Sequence, residues 1–349
     1  MESKTALTQL MNALNEADQT FLDPSKGLDD QGKVDGYQHL LHLLQTGIDF
    51  YLHNNPLKPQ LMPLADINRK LYGDNVDAVY YFSQLRGDQE YLISGQRFDS
   101  CYLSFALYAG SPHGEIAGRL AMNINHRDIH FDPDGRFEIR LTPNPTSERD
   151  FVLDKDVSVL FTREYFFDRA NSHESVIRIE NASSQAESLP LGDKQLAERI
   201  QDITSFVQCT TQIAPLPIVF PKNDFLPAFP YSKDQGGWGT TDNTYCFGRF
   251  SLKEDQYLEI HFNSPKTCYW GIQTWNYLMQ SMNYRDYPVS MNMGSAQAEA
   301  DGSYILTLSH RQAPKNWIST AGYSEGIIFI RWLLAEEMPQ QPSVQVLSW

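Results

Sequence analysis

The sequence predicts a mainly β chain with helices, an α+β multi-domain protein. Its centre is expected to be two tandem antiparallel β-sandwich or jelly-roll-like units related by an internal repeat, with an N-terminal helical segment and a linking helix. Three observations carry this. Short β-rich runs alternate with Gly, Asp and Pro turns over 76–168, and again over 243–337. Matched motifs recur between these stretches at an offset of about 165–168 residues. Apolar residues at helix spacing mark the N-terminus and 193–213.

In chain order, Leu7, Leu10, Met11 and Leu14 repeat at helix spacing until Asp23-Pro24-Ser25-Lys26-Gly27 breaks the pattern. A second helix is predicted over about 36–52, with Tyr37, Leu40, Leu41, Leu44, Ile48, Tyr51 and Leu52 on one face. Asn54-Asn55-Pro56 ends it. These make a helical segment over 1–75. A first β-domain over 76–170 follows, with Val79 to Phe82, Tyr91 to Ile93, Tyr102 to Tyr108 and Phe137 to Leu141 as strands. Over 171–240, a helix at 193–213 keeps Leu196, Ile200, Ile203 and Val207 in phase. A connector with Pro215, Pro217, Pro221, Pro227 and Pro230 then favours an extended path. The second β-domain spans 241–349.

The repeat is ordered. Tyr80-Tyr81-Phe82 matches Tyr245-Cys246-Phe247, Tyr91-Leu92 matches Tyr257-Leu258, and Cys101-Tyr102 matches Cys268-Tyr269. The stretch from Asp134-Gly135 to Leu141 matches that from Asp301-Gly302 to Leu308, and Val159 to Arg163 matches Ile327 to Arg331. Each Asp-Gly reads as a hairpin turn needing positive φ. Arg163 and Arg331 occur in both units, which suggests a structural role at each sandwich edge.

Composition narrows the partners. The 349 residues include 28 basic and 43 acidic side chains, a net charge of −15. Such a surface repels phosphates, so neither nucleic acid nor an anionic membrane is expected as partner. No run of about 18 apolar residues occurs. Met1-Glu2-Ser3-Lys4 leads into an amphipathic stretch, so no secretion signal is expected, and the cytoplasm is the expected compartment. Cys101, Cys209, Cys246 and Cys268 lack metal-ligand spacing and read as reduced thiols. No nucleotide or flavin fingerprint is present, and no cofactor is expected. A homodimer is the default assembly.

The repeat also serves as an internal control for a site. Where the first unit has Phe105-Ala106-Leu107-Tyr108-Ala109, the second has Ile272-Gln273-Thr274-Trp275-Asn276, and Trp270 stands against Leu103. Strand alternation puts Tyr269, Gly271, Gln273 and Trp275 on one face. Trp270, Gln273, Trp275 and Asn276 are therefore candidate ligand-binding residues at the domain junction, with Arg285, Asn316 and Trp317 beside them. The alternative is that the tryptophans fill a sandwich core and Gln273 caps a bulge. His310, at a strand end, is the candidate general base. Gly322-Tyr323-Ser324-Glu325-Gly326 has the G-x-S-x-G spacing, but strand-like Ile327 to Ile330 follows where a nucleophile elbow needs a helix. His126, Asp128 and His130 would share a strand face and could ligate a metal, although a solvated face explains them as well. No metal is expected.

The run from Asp242 to Phe250, Tyr269 to Asn276, Ser309-His310-Arg311, Pro314-Lys315-Asn316-Trp317 and Arg331-Trp332 resemble the DUF1214 family, bacterial domains of unknown function. The likeness covers about 240–337 and weakens upstream. It implies a multi-domain protein with a jelly-roll unit, another β-domain and a helical part. Some relatives carry an upstream DUF1254 domain and a signal peptide, neither of which is expected here. The family supplies no activity. The expectation is an uncharacterised protein that is an enzyme acting on a small amphipathic or aromatic molecule bound between two β-domains, or alternatively a non-catalytic glycan- or protein-binding β-sandwich module.

Overall fold

The computed structural model describes residues 1–183, 190–214 and 220–349. The expected Pro215 and Pro217 of the connector lie outside the described residues. The chain is mainly β with a few helices, as the sequence predicts.

Nine strands precede the linking helix: β1 (Met62–Pro63), β2 (Ala78–Gln84), β3 (Tyr91–Gln96), β4 (Tyr102–Ala109), β5 (Arg119–Asn125), β6 (Arg136–Thr142), β7 (Asp150–Val152), β8 (Val157–Tyr165) and β9 (Val176–Asn181). After it come β10 (Asp224–Phe225), β11 (Phe229–Pro230), β12 (Asn243–Ser251), β13 (Gln256–Phe262), β14 (Tyr269–Trp275), β15 (Ser290–Asn292), β16 (Tyr304–Ser309), β17 (Trp317–Ser319), β18 (Glu325–Leu333) and β19 (Ser343–Ser348).

The repeat is a repeat of topology. The first unit pairs a β1-β2-β8-β4-β5 sheet with a β7-β6-β3-β9 sheet. The second pairs β10-β12-β18-β14-β15 with β17-β16-β13-β19. Register is shared too: Tyr80 lies opposite Arg163, and Tyr245 opposite Arg331. Even the parallel ladders correspond, β6 with β7 and β16 with β17. β9 lies past residue 170, so the first unit reaches further along the chain than expected.

Each sheet pair encloses a core. Leu103, Phe105 and Leu107 of β4 meet Ile93 and Ile139 of the facing sheet. In the second unit, Trp270 and Ile272 of β14 meet Leu258, Ile260 and Leu306. Period-2 alternation turns the other face of β4 and β14 outward, toward the junction. The Asp-Gly turns hold φ of +79° at Gly135 and +86° at Gly302, a region glycine enters without Cβ strain. Each closes a tight local reversal, Asp132 N–H donating to the Arg136 carbonyl at 2.9 Å and Glu299 N–H to the Ser303 carbonyl at 2.8 Å, although the strands before them, β5 and β15, belong to the other sheet of each pair.

Three helices cover the outer face of the first unit: α1 (Glu2–Phe21), α2 (Asp30–Gly47) and α3 (Asp193–Thr210). α2 starts earlier than predicted because Asp29 caps it, accepting the Gly32 N–H at 2.7 Å. It runs on as a π-helical turn, Ile48–Leu52, which puts Phe50 flat on Phe82 with ring centroids 3.6 Å apart. The buried faces shift from those predicted. Ala6, Leu10, Ala13 and Ala17 line α1, whereas Leu7, Met11, Tyr37 and Leu41 are exposed. No helix among the described residues is long and apolar enough to cross a membrane.

Candidate functional site

The two units exchange arms. Gly73–Asp77, leading into β2 of the first unit, lies against β14 of the second. Trp238–Asp242, leading into β12 of the second unit, lies against β4 of the first. Tyr269 donates its hydroxyl to Asp77 at 2.7 Å, and Tyr102 donates to Asp242 at 2.8 Å. Asn292 also donates to Asp77, at 3.0 Å; Asn123 and Asn125 both donate to Asp242, at 2.8 Å. Farther along each arm, the Trp275 indole N–H reaches the Asp74 carbonyl at 3.0 Å, and the Tyr108 hydroxyl reaches the Gly239 carbonyl at 2.6 Å. These equivalent pairs describe a pseudo-two-fold relation between the units.

Between the arms lies a chamber of about 320 Å³, at the small end of the range for ligand sites. Phe161, Phe329, Tyr80, Tyr245, Trp238 and Trp275 form much of its wall, with Phe50 and Phe206 from the helical layer. Trp275 stacks on Phe329 with centroids 4.1 Å apart, and Phe161 sits 4.7 Å from Trp238. Two arginines line the same space. Both come from the central strands of their sheets, β8 and β18, and each is 5% exposed. Arg331 donates to the Tyr165 hydroxyl at 2.8 Å and to the Gly73 carbonyl at 2.9 Å. Arg163 donates to the Tyr108 hydroxyl at 2.9 Å and to the Trp238 carbonyl. Neither forms an ion pair among the described residues. The Arg163 Nη1 has no hydrogen-bond partner. Burial pushes the Tyr245 phenol up to about 12 and raises Tyr80 as well, so these hydroxyls stay neutral beside the guanidiniums. The edge role expected for Arg163 and Arg331 is therefore corrected. A central strand has no edge to hold, and their side chains face the chamber.

The candidate residues are dispersed. Trp275 is in the chamber wall. Gln273 is buried and pins the first arm, donating to the Asp74 carbonyl at 2.6 Å and accepting from Val76 N at 3.3 Å. Trp270 points the other way, into the second sandwich core, edge-on to Phe262 at 4.9 Å. Asn276 is buried and orders the following loop by accepting from Leu278 N and Gln280 N. It also lines a separate polar cleft of about 420 Å³ with Arg285, which is exposed and donates to Asn68 at 2.8 Å. Asn316 is buried with φ of +46° and donates to the Gln297 and Ile305 carbonyls, holding a loop. Trp317 opens β17 and donates to the Ser309 carbonyl at 3.3 Å. His310 does not line the chamber. Its Nδ1 meets the Thr320 hydroxyl at 2.8 Å and its Nε2 the Leu252 carbonyl at 3.4 Å, tying loops of the second unit. Ser324 directly precedes β18, without the helix an elbow requires.

β5 ends at Asn125, so His126, Asp128 and His130 belong to a turn and not to a strand face. Asp128 accepts from Asn125 N at 2.9 Å, closing that turn. Among the described residues, no group of three or more His, Cys, Asp or Glu side chains could hold a metal ion.

The residues that sequence reasoning missed as site residues, Arg163 and Arg331, had a signal: an arginine on the central strand of each unit, at the same repeat position. Arms led by Asp77 and Asp242 were likewise marked by the repeat offset.

No protein-family model and no curated protein matches the sequence. The DUF1214 resemblance thus rests on its motif residues alone. Solved structures do match. An uncharacterised protein from Burkholderia cenocepacia is similar over 98% of this chain and 96% of its own, with TM-score 0.90 and 24% identity. A protein from Vibrio parahaemolyticus is similar over 90% of this chain and 98% of its own, with TM-score 0.51 and 12% identity. At these identities the likeness shows a shared fold alone.

Proposed function

We propose that this protein binds a small amphipathic or aromatic molecule in the chamber between its two β-units. The observation that supports this is the chamber itself, an aromatic-walled space of about 320 Å³ to which both units and the helical layer contribute. Its described lining holds one carboxylate, Asp74, which accepts from Ser281 N at 2.8 Å, and the reading is of binding more than of acid–base turnover. Glycan recognition on an open aromatic platform gains no support from Trp270 and Trp275, each 1% exposed. Kinship with DUF1214 proteins and a cytoplasmic setting belong to the same proposal, the second on four unpaired cysteines.

The test is a fluorescence titration with N-phenyl-1-naphthylamine, a neutral aromatic probe. Saturable binding at one site per chain is expected. Leu71→Trp puts an indole into the space from a lining position and is expected to abolish that binding while the protein stays folded by circular dichroism. Binding that Leu71→Trp leaves unchanged, or no saturable binding at all, overturns the reading.

A further inference from the structure

Resting on the chamber as the binding site, we infer that its ligand is an organic anion, a carboxylate or sulfonate on an aromatic or apolar body, recognised by the Arg163–Arg331 pair. Burying a guanidinium costs several kcal/mol unless an anion compensates it. Here two are buried in one chamber, and neither has a carboxylate partner among the described residues. Their hydrogen-bond partners are neutral carbonyls and phenols, and aromatic rings lie beside both guanidiniums. Two acids feel the Arg331 charge, Asp74 of the chamber lining and Asp77, and both carboxylates are bonded to other groups. Asp74 accepts from Ser281, and Asp77 accepts from Tyr269 and Asn292.

Arg163, 5% exposed, has no hydrogen-bond partner at Nη1, and the residue lines the chamber. The guanidinium fork matches a carboxylate or sulfonate. Phe329 lies 4.8 Å from the Arg331 guanidinium, and Trp275 stacks behind it, so an apolar body has rings to meet within the same space as the charge. A bare inorganic anion would satisfy the arginines and leave those walls empty. An uncharged aromatic would fill the walls and leave the arginines unpaired.

The experiment compares 8-anilinonaphthalene-1-sulfonate with N-phenyl-1-naphthylamine, the same ring system with and without the anion. The wild type is expected to favour the sulfonate by about tenfold or more, the size of one charge-assisted contact. Arg163→Gln and Arg331→Gln are each expected to cut that preference about tenfold, with Arg163→Lys between. Competition needs no variant: 1-naphthoate should displace the sulfonate probe and 1-naphthamide should not. If neither probe binds the wild type, the chamber reading itself fails. If the neutral probe binds and the anion has no advantage, or if the Gln variants leave the preference intact, this inference alone is overturned. Displacement by inorganic phosphate at the same concentration as 1-naphthoate would mean a bare anion site and overturn the organic-anion class.

Discussion

Asp242→Ala tests the exchange of arms. The Oδ2 of Asp242 accepts from Tyr102, Asn123 and Asn125, each at 2.8 Å. Truncation leaves all three donors without that partner. The Tyr102 ring is fully buried, so its stranded hydroxyl costs about 1–3 kcal/mol. The two amides are closer to solvent and cost about 1 kcal/mol each. The expected loss is therefore about 3–5 kcal/mol, read by urea unfolding at pH 7. Asp77→Ala removes an acceptor from two donors, Tyr269 and Asn292, and should cost less. Asp242→Asn keeps one acceptor oxygen and should fall between wild type and Ala. A double-mutant cycle of Asp242→Ala with Tyr102→Phe should show coupling, because the two side chains share one contact. The reasoning is refuted if Asp242→Ala lies within about 0.5 kcal/mol of wild type, the range of an ordinary surface change.

Two further outcomes are expected. His39 is 1% exposed, and burial, then the charge of His42, pushes it down to about 3 from an ordinary 6.5. The unfolded chain binds the proton that the folded chain refuses, so stability is present above pH 6.5 and is lost as pH falls toward 3. At pH 5.5 the loss is about 1.4 kcal/mol, which His39→Gln should remove from the pH 7.5-to-5.5 difference in unfolding free energy; an unchanged difference contradicts the assignment. Gly114 has φ of +89°, and a Cβ there would lie 2.1 Å from the Asp202 carbonyl of α3. Gly114→Ala should cost about 2–4 kcal/mol from left-handed strain and overpacking, seen as a lower melting temperature; an unchanged melting temperature would mean the loop does not press on the helix.

Much of the fold was legible in the sequence because strand register leaves a periodic trace. Tyr80 and Tyr245 sit at one repeat position, and so do the two Asp-Gly turns, so the offset exposed a duplication of topology. Which sheet the strand before each Asp-Gly turn joins was not legible, because the turn asks for the same positive φ whether or not its flanking strands pair. The start of α2 was hidden by Gly32 and Gly36, which interrupt its apolar pattern, while Asp29 supplies the cap.

The site was legible only in part. Alternation put Tyr269, Gln273 and Trp275 on the junction face, and that is the face the first arm covers. The search for differences between the units found Gln273, whose amide anchors the arm, and Trp270, which fills the core. The chamber uses residues the units have in common: Arg163 with Arg331, Tyr80 with Tyr245, Phe161 with Phe329. A site on a pseudo-two-fold axis is built largely from sameness, so contrast between the repeats found Trp275 of its wall and missed the shared residues.

The most direct measurement is a crystal of the protein grown with 6-bromo-2-naphthoate and read by bromine anomalous scattering. The account predicts one bromine peak inside the chamber, among the Phe161, Phe329 and Trp275 rings, with the carboxylate at Arg163 Nη1. A peak on the outer surface or in the polar cleft beside Arg285, or an empty chamber at saturating ligand, would contradict it.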